Sequence, residues 1–146
     1  MAEPDARRGP SANTRRAQRL LMAGVAGGHA ALLACVVAFA LAGGWPGALS
    51  AAIAGVVTIA FFTIGQAVQV VVADAPARRI LIASLASYVL RVTVLGLLLA
   101  LALDNADRVA WLDPVAVAAT TIAVVIGWLA VELWVYSRMR IPVYDE

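Results

Sequence analysis

Four strongly polar side chains interrupt long apolar stretches of this sequence, and they are the residues that could carry chemistry. They are an imidazole, a carboxamide, a guanidinium and a carboxylate, belonging to His29, Gln66, Arg91 and Glu132. A charge among so many apolar residues needs a partner, because an unpaired charge in apolar surroundings is costly. Arg91 and Glu132 carry opposite charges, which makes each the natural candidate partner of the other.

Three roles for Arg91 and Glu132 remain open at this point. They could form a structural pair that fixes the register of two helices, contact a partner subunit, or line an ion or proton path. His29 is more typical of a hydrogen-bonded packing residue than of a proton relay. Gln66, like its neighbour Gln69, is typical of a hydrogen-bond donor between helices.

Residue patterns typical of enzymes and metal sites are missing from the sequence. One cysteine, Cys35, and one histidine exclude a Cys/His zinc site built from this chain alone. The sequence also lacks a Walker A motif, a dinucleotide-binding glycine pattern and a G-x-S-x-G motif. We therefore predict that the protein is not an enzyme and has no catalytic, cofactor-binding or metal-binding residues.

Composition identifies the environment of the chain. Of its 146 residues 63% are hydrophobic and 14% are charged, and the mean hydropathy is +0.90. Soluble domains are nearer half apolar and a quarter charged, and a short chain leaves much of its surface exposed. The excess excludes a soluble enzyme, a nucleic-acid-binding protein and a disordered protein, and it predicts an integral membrane protein surrounded by lipid.

Four apolar segments predict the fold. Each has about 22–24 residues, close to the roughly 20 that a helix needs to cross a bilayer. The segments are residues 20–42, 49–72, 80–103 and 115–136. They predict an all-α protein with four transmembrane helices arranged as two helical hairpins.

Polar and turn-forming residues separate the predicted helices. Gly43–Gly47 is short enough for a tight hairpin, and Asp113–Pro114 predicts an N-cap followed by proline at the first helical position. The domain division is a disordered basic tail, a transmembrane domain and a short C-terminal tail, at residues 1–19, 20–137 and 138–146. A cleaved signal peptide is a further interpretation of the first segment, but its apolar run is longer than a signal h-region.

Arginine distribution predicts the orientation. All 11 basic residues are arginine: five lie in residues 1–19, two in 74–79 and two in 138–146. The loop between the third and fourth predicted helices, residues 104–114, contains one arginine, Arg108, and three aspartates. Since basic loops stay on the cytoplasmic side, both termini are predicted to lie in the cytoplasm.

The predicted topology brings the polar residues to similar depths. Arg91 lies about 16 Å and Glu132 about 7 Å from the cytoplasmic helix ends, with His29 and Gln66 at about 13 Å and 9 Å. Helical side chains lean toward the N-terminus of their helix, so Arg91 leans inward and Glu132 outward. We therefore expect a polar cluster in the inner half of the membrane, in which an Arg91–Glu132 bridge is plausible.

Small residues recur at a spacing of four. Gly24 and Gly28 begin such a stripe on the first helix, and Ala51 and Gly55 form another on the second. Small residues let helix backbones approach closely in membranes. The stripes predict close packing, either within the chain or against a partner.

Three segments resemble the ATP synthase protein I family, in particular its actinobacterial members. The segments are Ser87–Val92, with a basic residue in an aliphatic helix, Leu112–Ala116, which leads into the last helix, and the ending Arg140–Glu146. Members of this family are small four-helix proteins of the bacterial inner membrane associated with the F-type ATP synthase. The resemblance implies an accessory role in assembly or stability of the membrane sector, with the c-ring and the a subunit as partners.

A rival interpretation is a small ion transporter or channel, for Mg²⁺ or coupled to protons, formed as a homo-oligomer. Glu132 would then be the ion site and Arg91 would tune it. A divalent cation prefers several oxygen ligands, and a dimer would supply two carboxylates. A holin-like or purely structural protein is a third interpretation.

Overall fold

The computed structural model describes residues 9–139, which fold into helices joined by short turns. Helix α1 spans Ala12–Val71, α2 spans Ala77–Asp104 and α3 spans Pro114–Arg138, with a single 3-10 turn at Ala106–Arg108 between α2 and α3. The prediction of an all-helical protein is confirmed for this part of the chain. All three helices are long and apolar enough to cross a membrane, which is compatible with a multi-pass membrane protein.

The structure has three such helices and not the four that the sequence predicts. The segments predicted at 20–42 and 49–72 form one element of 60 residues, because the helix reaches Gly43 and resumes at Trp45. Gly44 alone leaves helical geometry, with φ 62° and ψ −150°. Residues other than glycine rarely adopt this backbone region, so a single glycine within the predicted tight hairpin at Gly43–Gly47 provides the turn.

The two parts of α1, here called the first limb (residues 12–43) and the second limb (residues 45–71), pack against each other. A Cβ added to Gly28 would lie 3.2 Å from Ile59 Cγ1, and one added to Gly55 would lie 3.1 Å from Leu32 Cγ. Partners therefore run in opposite directions along the chain, and the limbs are antiparallel. A straight helix of this length would extend about 90 Å.

Hydrogen bonds join the start of the first limb to the turn that follows the second limb. Ser11 Oγ and Thr14 Oγ1 donate to the Asp74 carboxylate at 2.7 and 3.0 Å. Ser11 also caps α1, since its Oγ accepts from Thr14 N at 3.0 Å. The cap starts the helix at Ala12, so the part of the predicted disordered tail after Ser11 is helical, and residues 1–8 lie outside the described residues.

The start of α3 is fixed on the second limb. Asp113 caps the helix by accepting from Val115 N and Ala116 N at 2.9 and 3.0 Å, with Pro114 at the first helical position as predicted. Ser50 Oγ accepts from Asp113 N at 2.9 Å and donates to Trp111 O at 3.3 Å. The loop before α3 is thus held against α1. Helix α3 ends at Arg138, and residues 140–146 of the predicted C-terminal tail lie outside the described residues.

The core lies between the two limbs of α1 and α3. Trp128 and Val124 are fully buried there and pack with Leu32 and Ile59. Helix α2 lies at the side of this unit, contacts mainly α1, and has Ser87 as its one buried residue.

Candidate functional site

Glu132 and Gln66 meet between α3 and the second limb of α1. Gln66 Nε2 donates to Glu132 Oε1 at 2.6 Å, and Trp128 Nε1 donates to Glu132 Oε2 at 3.0 Å. Gln66 is 4% exposed and Trp128 is fully buried. Both carboxylate oxygens therefore have a donor fixed by packing, which holds the negative charge at one place.

Trp128 was not among the residues singled out from the sequence. Its spacing from Glu132 on α3 is i, i+4, which places the two side chains on one helix face. That spacing, together with the indole N–H of tryptophan as a donor, is a signal that the sequence contains.

Arg91 lies on the other side of the second limb. Its Nη2 donates to Ser87 Oγ at 3.2 Å, one turn earlier on α2, and Ser87 Oγ donates to Gly65 O at 3.2 Å. The guanidinium carbon lies 5.0 Å from the centre of the Phe62 ring. A Cβ on Gly65 would lie 2.7 Å from Arg91 Cζ, so the guanidinium occupies space that the glycine leaves free.

Phe62, Gly65 and Gln66 join the two halves of the cluster. The Phe62 ring centre is 5.5 Å from that of Trp128, with the planes at 55°, and the same ring lies under Arg91. One turn of the second limb thus contacts α2 through Phe62 and Gly65 and α3 through Phe62 and Gln66. We call Phe62, Gln66, Ser87, Arg91, Trp128 and Glu132 the polar cluster.

A direct hydrogen bond between Arg91 and Glu132 is not made in the described part of the chain. Arg91 donates to Ser87, while the Glu132 oxygens accept from Gln66 and Trp128. The reason is the helix arrangement, because α2 packs mainly against α1 and makes few contacts with α3. Arg91 Nε is buried and has no hydrogen-bond partner among residues 9–139.

His29 lies outside the polar cluster. Its side chain is exposed, and Nδ1 lies 2.8 Å from Val25 O. Because a carbonyl oxygen only accepts, Nδ1 carries the proton in this contact. The sequence placed His29 at a depth similar to that of the other polar groups, but its position on the first limb turns it away from them.

The three predicted packing glycines all face other parts of this chain. A Cβ on Gly24 would lie 2.7 Å from Trp128 Cζ2, and one on Gly28 would lie 3.1 Å from Trp128 Cε3. A Cβ on Gly55 would lie 3.3 Å from Thr120 Cγ2. Of the two packing roles that the sequence left open, these glycines have the internal one, since they make room for Trp128 and for the close approach of the limbs.

Two clefts border the charged residues of the polar cluster. One, of about 300 Å³, lies between the second limb and α2, and Arg91 forms part of its wall. The other, of about 350 Å³, includes Glu132 and is otherwise formed by Leu20, Leu129, Leu133 and Tyr136. Within residues 9–139 no three His, Cys, Asp or Glu side chains are grouped as metal ligands. The arrangement can hold two opposite charges at separate, defined places among apolar helices.

Comparison with known protein families, characterised proteins and solved structures finds no match to this chain. Its function is therefore inferred from its own residues and contacts, together with the resemblance of three short segments. Two of those segments contain residues with defined structural roles, since Ser87 and Arg91 belong to the polar cluster and Asp113 caps α3.

Proposed function

We propose that this chain is a multi-pass protein of the bacterial inner membrane that crosses the bilayer four times. The crossings are the first and second limbs of α1, then α2, then α3. Each limb has about 30 residues and would extend about 45 Å, which exceeds the roughly 30 Å of the hydrocarbon layer. The antiparallel packing of the limbs supports two crossings within α1.

The charge distribution supports an orientation with both termini in the cytoplasm. One end of the bundle carries the arginines at the starts of α1 and α2 and at the end of α3. The opposite end carries Gly44 and the aspartates of the loop between α2 and α3. Arginine-rich ends stay in the cytoplasm, so the Gly44 turn is on the outside in this proposal.

We further propose that the protein assists assembly or stability of the membrane sector of the F-type ATP synthase, with its c and a subunits as partners. The observation that carries this proposal is the exposure of α2, whose large apolar side chains are mostly uncovered although the helix holds a charge at its middle. Leu85, Val89 and Val92 are 62%, 54% and 55% exposed. A partner helix would find a continuous apolar face there, beside Arg91.

Arg91 has N–H donors that could hydrogen-bond to such a partner. A guanidinium has five N–H donors, and within residues 9–139 one side-chain hydrogen bond, to Ser87, is made. A carboxylate inside a membrane needs a positive or hydrogen-bonding partner. A carboxylate of the c-ring is such a group, and Ser87–Val92 is also one of the segments that resemble the ATP synthase protein I family.

Affinity purification tests this proposal. The tagged full chain is purified from its native membrane in mild detergent, and the proteins that accompany it are quantified by mass spectrometry. We expect c and a subunits to be enriched over unrelated membrane proteins, and the Arg91→Leu variant to lose most of that enrichment. Arg108→Leu is the matched control, because it removes the same charge outside the helices. Absence of synthase subunits from the wild-type sample would refute the proposal.

Ion transport is the second candidate function, and the position of Glu132 is the observation that favours it. The carboxylate lies at a cleft among apolar residues and keeps two donors, Gln66 and Trp128. Flux into vesicles that contain the purified protein tests this function directly. Transport that is lost in Glu132→Gln would support it, and equal flux in wild-type protein and in empty vesicles would exclude it.

A further inference from the structure

Three arginines from two helices line one cleft at the arginine-rich end of the bundle. The cleft has a volume of about 420 Å³ and lies between the first turns of α1 and the last turn of α3. Its walls are formed by Arg16, Arg19, Trp134, Val135, Arg138 and Met139. We call this group the arginine cleft. The sequence shows these arginines only as flanks of two distant segments, and the fold brings them together.

The arginine cleft concentrates positive charge, and among residues 9–139 no acidic side chain forms part of its wall. Arg16 and Arg19 are spaced i, i+3 and so lie on one side of α1. They lie in the second turn of α1, and the first turn of that helix contains no acidic residue. Such a site favours an anion strongly.

The geometry of Arg138 suits a phosphate group. Its guanidinium carbon lies over the Trp134 ring, 4.6 Å from the ring centre, in a cation–π contact. This contact is made with the ring face and uses no hydrogen-bond acceptor, so the N–H donors of Arg138 remain available for phosphate oxygens. Arg138 is therefore positioned by an aromatic contact that does not consume its donors.

The surroundings of the cleft indicate a lipid rather than a soluble anion. Trp134, Val135 and Met139 give it an apolar wall on the α3 side. A shallower groove of about 540 Å³ shares Arg19 and Val135 with the cleft and continues past Met22 and Ala23 along the apolar surface of α1. A phospholipid has the matching layout, with a charged phosphate at one end and apolar chains that leave in one direction.

We propose that the arginine cleft binds the phosphate group of an anionic phospholipid, whose acyl chains lie along the groove beside Met22 and Ala23. Arg16, Arg19 and Arg138 contact the phosphate, and Trp134 orients Arg138. Basic pockets between helices at the cytoplasmic side of a membrane are suited to such headgroups. The proposal rests on the membrane placement given above and is independent of the synthase as a partner.

Native mass spectrometry of the purified full chain in detergent tests the proposal. Phosphatidylglycerol and phosphatidylcholine are titrated separately, and the dissociation constant of the first bound lipid is compared. We expect phosphatidylglycerol to bind at least tenfold more tightly. Arg16→Gln combined with Arg138→Gln should weaken phosphatidylglycerol binding about 25-fold, since each arginine that contacts the phosphate contributes roughly a fivefold factor.

Arg78→Gln combined with Arg79→Gln is the matched control, because it removes the same charge from the start of α2, outside the cleft. We expect this control to change phosphatidylglycerol affinity by less than about twofold to threefold. An equal loss in both double variants would overturn the proposal, because binding would then follow net charge and not the cleft. A wild-type protein that binds both lipids equally would overturn it as well.

Arg138→Lys provides a test that does not depend on removal of charge. Lysine keeps the positive charge but lacks the planar guanidinium that lies over Trp134 and can contact two phosphate oxygens at once. We expect this variant to bind phosphatidylglycerol severalfold more weakly, while circular dichroism shows unchanged helicity. Unchanged affinity would contradict the role of the contact between Arg138 and Trp134.

Inorganic phosphate at matched ionic strength distinguishes the source of the phosphate group. Inorganic phosphate that binds as tightly as phosphatidylglycerol would show that the acyl chains contribute nothing, and it would overturn the lipid assignment.

Discussion

Helices α2 and α3 are similar in length and apolar character, yet they are packed in opposite ways. Helix α3 buries Ala116, Val117, Thr120, Val124 and Trp128, whereas α2 buries Ser87 alone. The difference lies in their neighbours, because α3 faces Gly24, Gly27 and Gly28, which let its backbone and its tryptophan approach α1 closely. Apolar character brings a helix into the membrane, but small residues on the opposing helix decide how tightly it packs there.

The largest loss of stability is expected from a substitution at a glycine in the contact between α1 and α3. A Cβ on Gly27 would lie 2.9 Å from Val131 Cβ and would also meet the backbone oxygen of Gly127, which has little freedom to move. We expect Gly27→Ala to destabilise the protein by about 1–3 kcal/mol, as overpacking does. Thermal unfolding in detergent measures this.

Gly96→Ala on α2 is the matched control for that substitution. An added Cβ at Gly96 meets nothing within 4 Å. Alanine is a better helix former than glycine, so Gly96→Ala should leave the melting temperature unchanged or raise it. If both variants lower it equally, the contrast between the two helices is wrong.

The next effect concerns the hydrogen bonds that hold Glu132. Gln66→Leu removes the donor to Glu132 Oε1 and leaves that oxygen without a partner in an apolar region. We expect a loss of about 1–3 kcal/mol in the free energy of unfolding, because the lost hydrogen bond is made to a charged group at a partly buried position. Gln69→Leu, three residues later on the same limb, should cost less than about 0.5 kcal/mol. Chemical or thermal unfolding of the two variants in the same detergent compares them, and equal losses would contradict the role of Gln66.

Arg91 should matter less for stability than for binding. It contacts one hydrogen-bond partner, Ser87, and the face of Phe62 on the loosely packed side of the molecule. We expect Arg91→Leu to change the free energy of unfolding by less than about 1 kcal/mol, because removing the charge from an apolar helix offsets the lost contacts. A loss as large as that of Gln66→Leu would show that Arg91 is mainly a structural residue.

The smallest expected effect is a pH dependence at the open end of α1. The hydrogen bonds from Ser11 and then Thr14 lower the pKa of Asp74, and partial desolvation opposes them. Because the pKa is lower in the folded protein, the contribution of Asp74 to stability is present above the pKa of the unfolded chain. It is lost as pH falls through the folded value. Thermal unfolding between neutral pH and about pH 3 should show a slightly shallower decline for Asp74→Asn than for wild type, and identical curves would contradict this.

Several features of the fold follow directly from the sequence. The apolar segments, the Asp113–Pro114 cap and the closeness of Gln66 to Glu132 in depth all follow from local rules of length, capping and helical rise. The position of the turn within α1 does not, because the chain reverses at one dihedral pair, that of Gly44, which no local pattern distinguishes from its neighbours. The sequence also leaves open which side chains Arg91 and Glu132 contact, since the order of helices around a bundle depends on packing between distant segments.

Photo-crosslinking in cells tests the central claim that α2, and not α3, is the face that binds a partner. A photoreactive amino acid is placed at Val89 on α2 or at Ile126 on α3, which are 54% and 61% exposed. Both lie about 18 Å from the arginine-rich end of their helix, so the two probes sample the same depth. We expect adducts with an ATP synthase membrane subunit from Val89 and none from Ile126. Equal crosslinking from both positions, or synthase adducts from Ile126 alone, would contradict it.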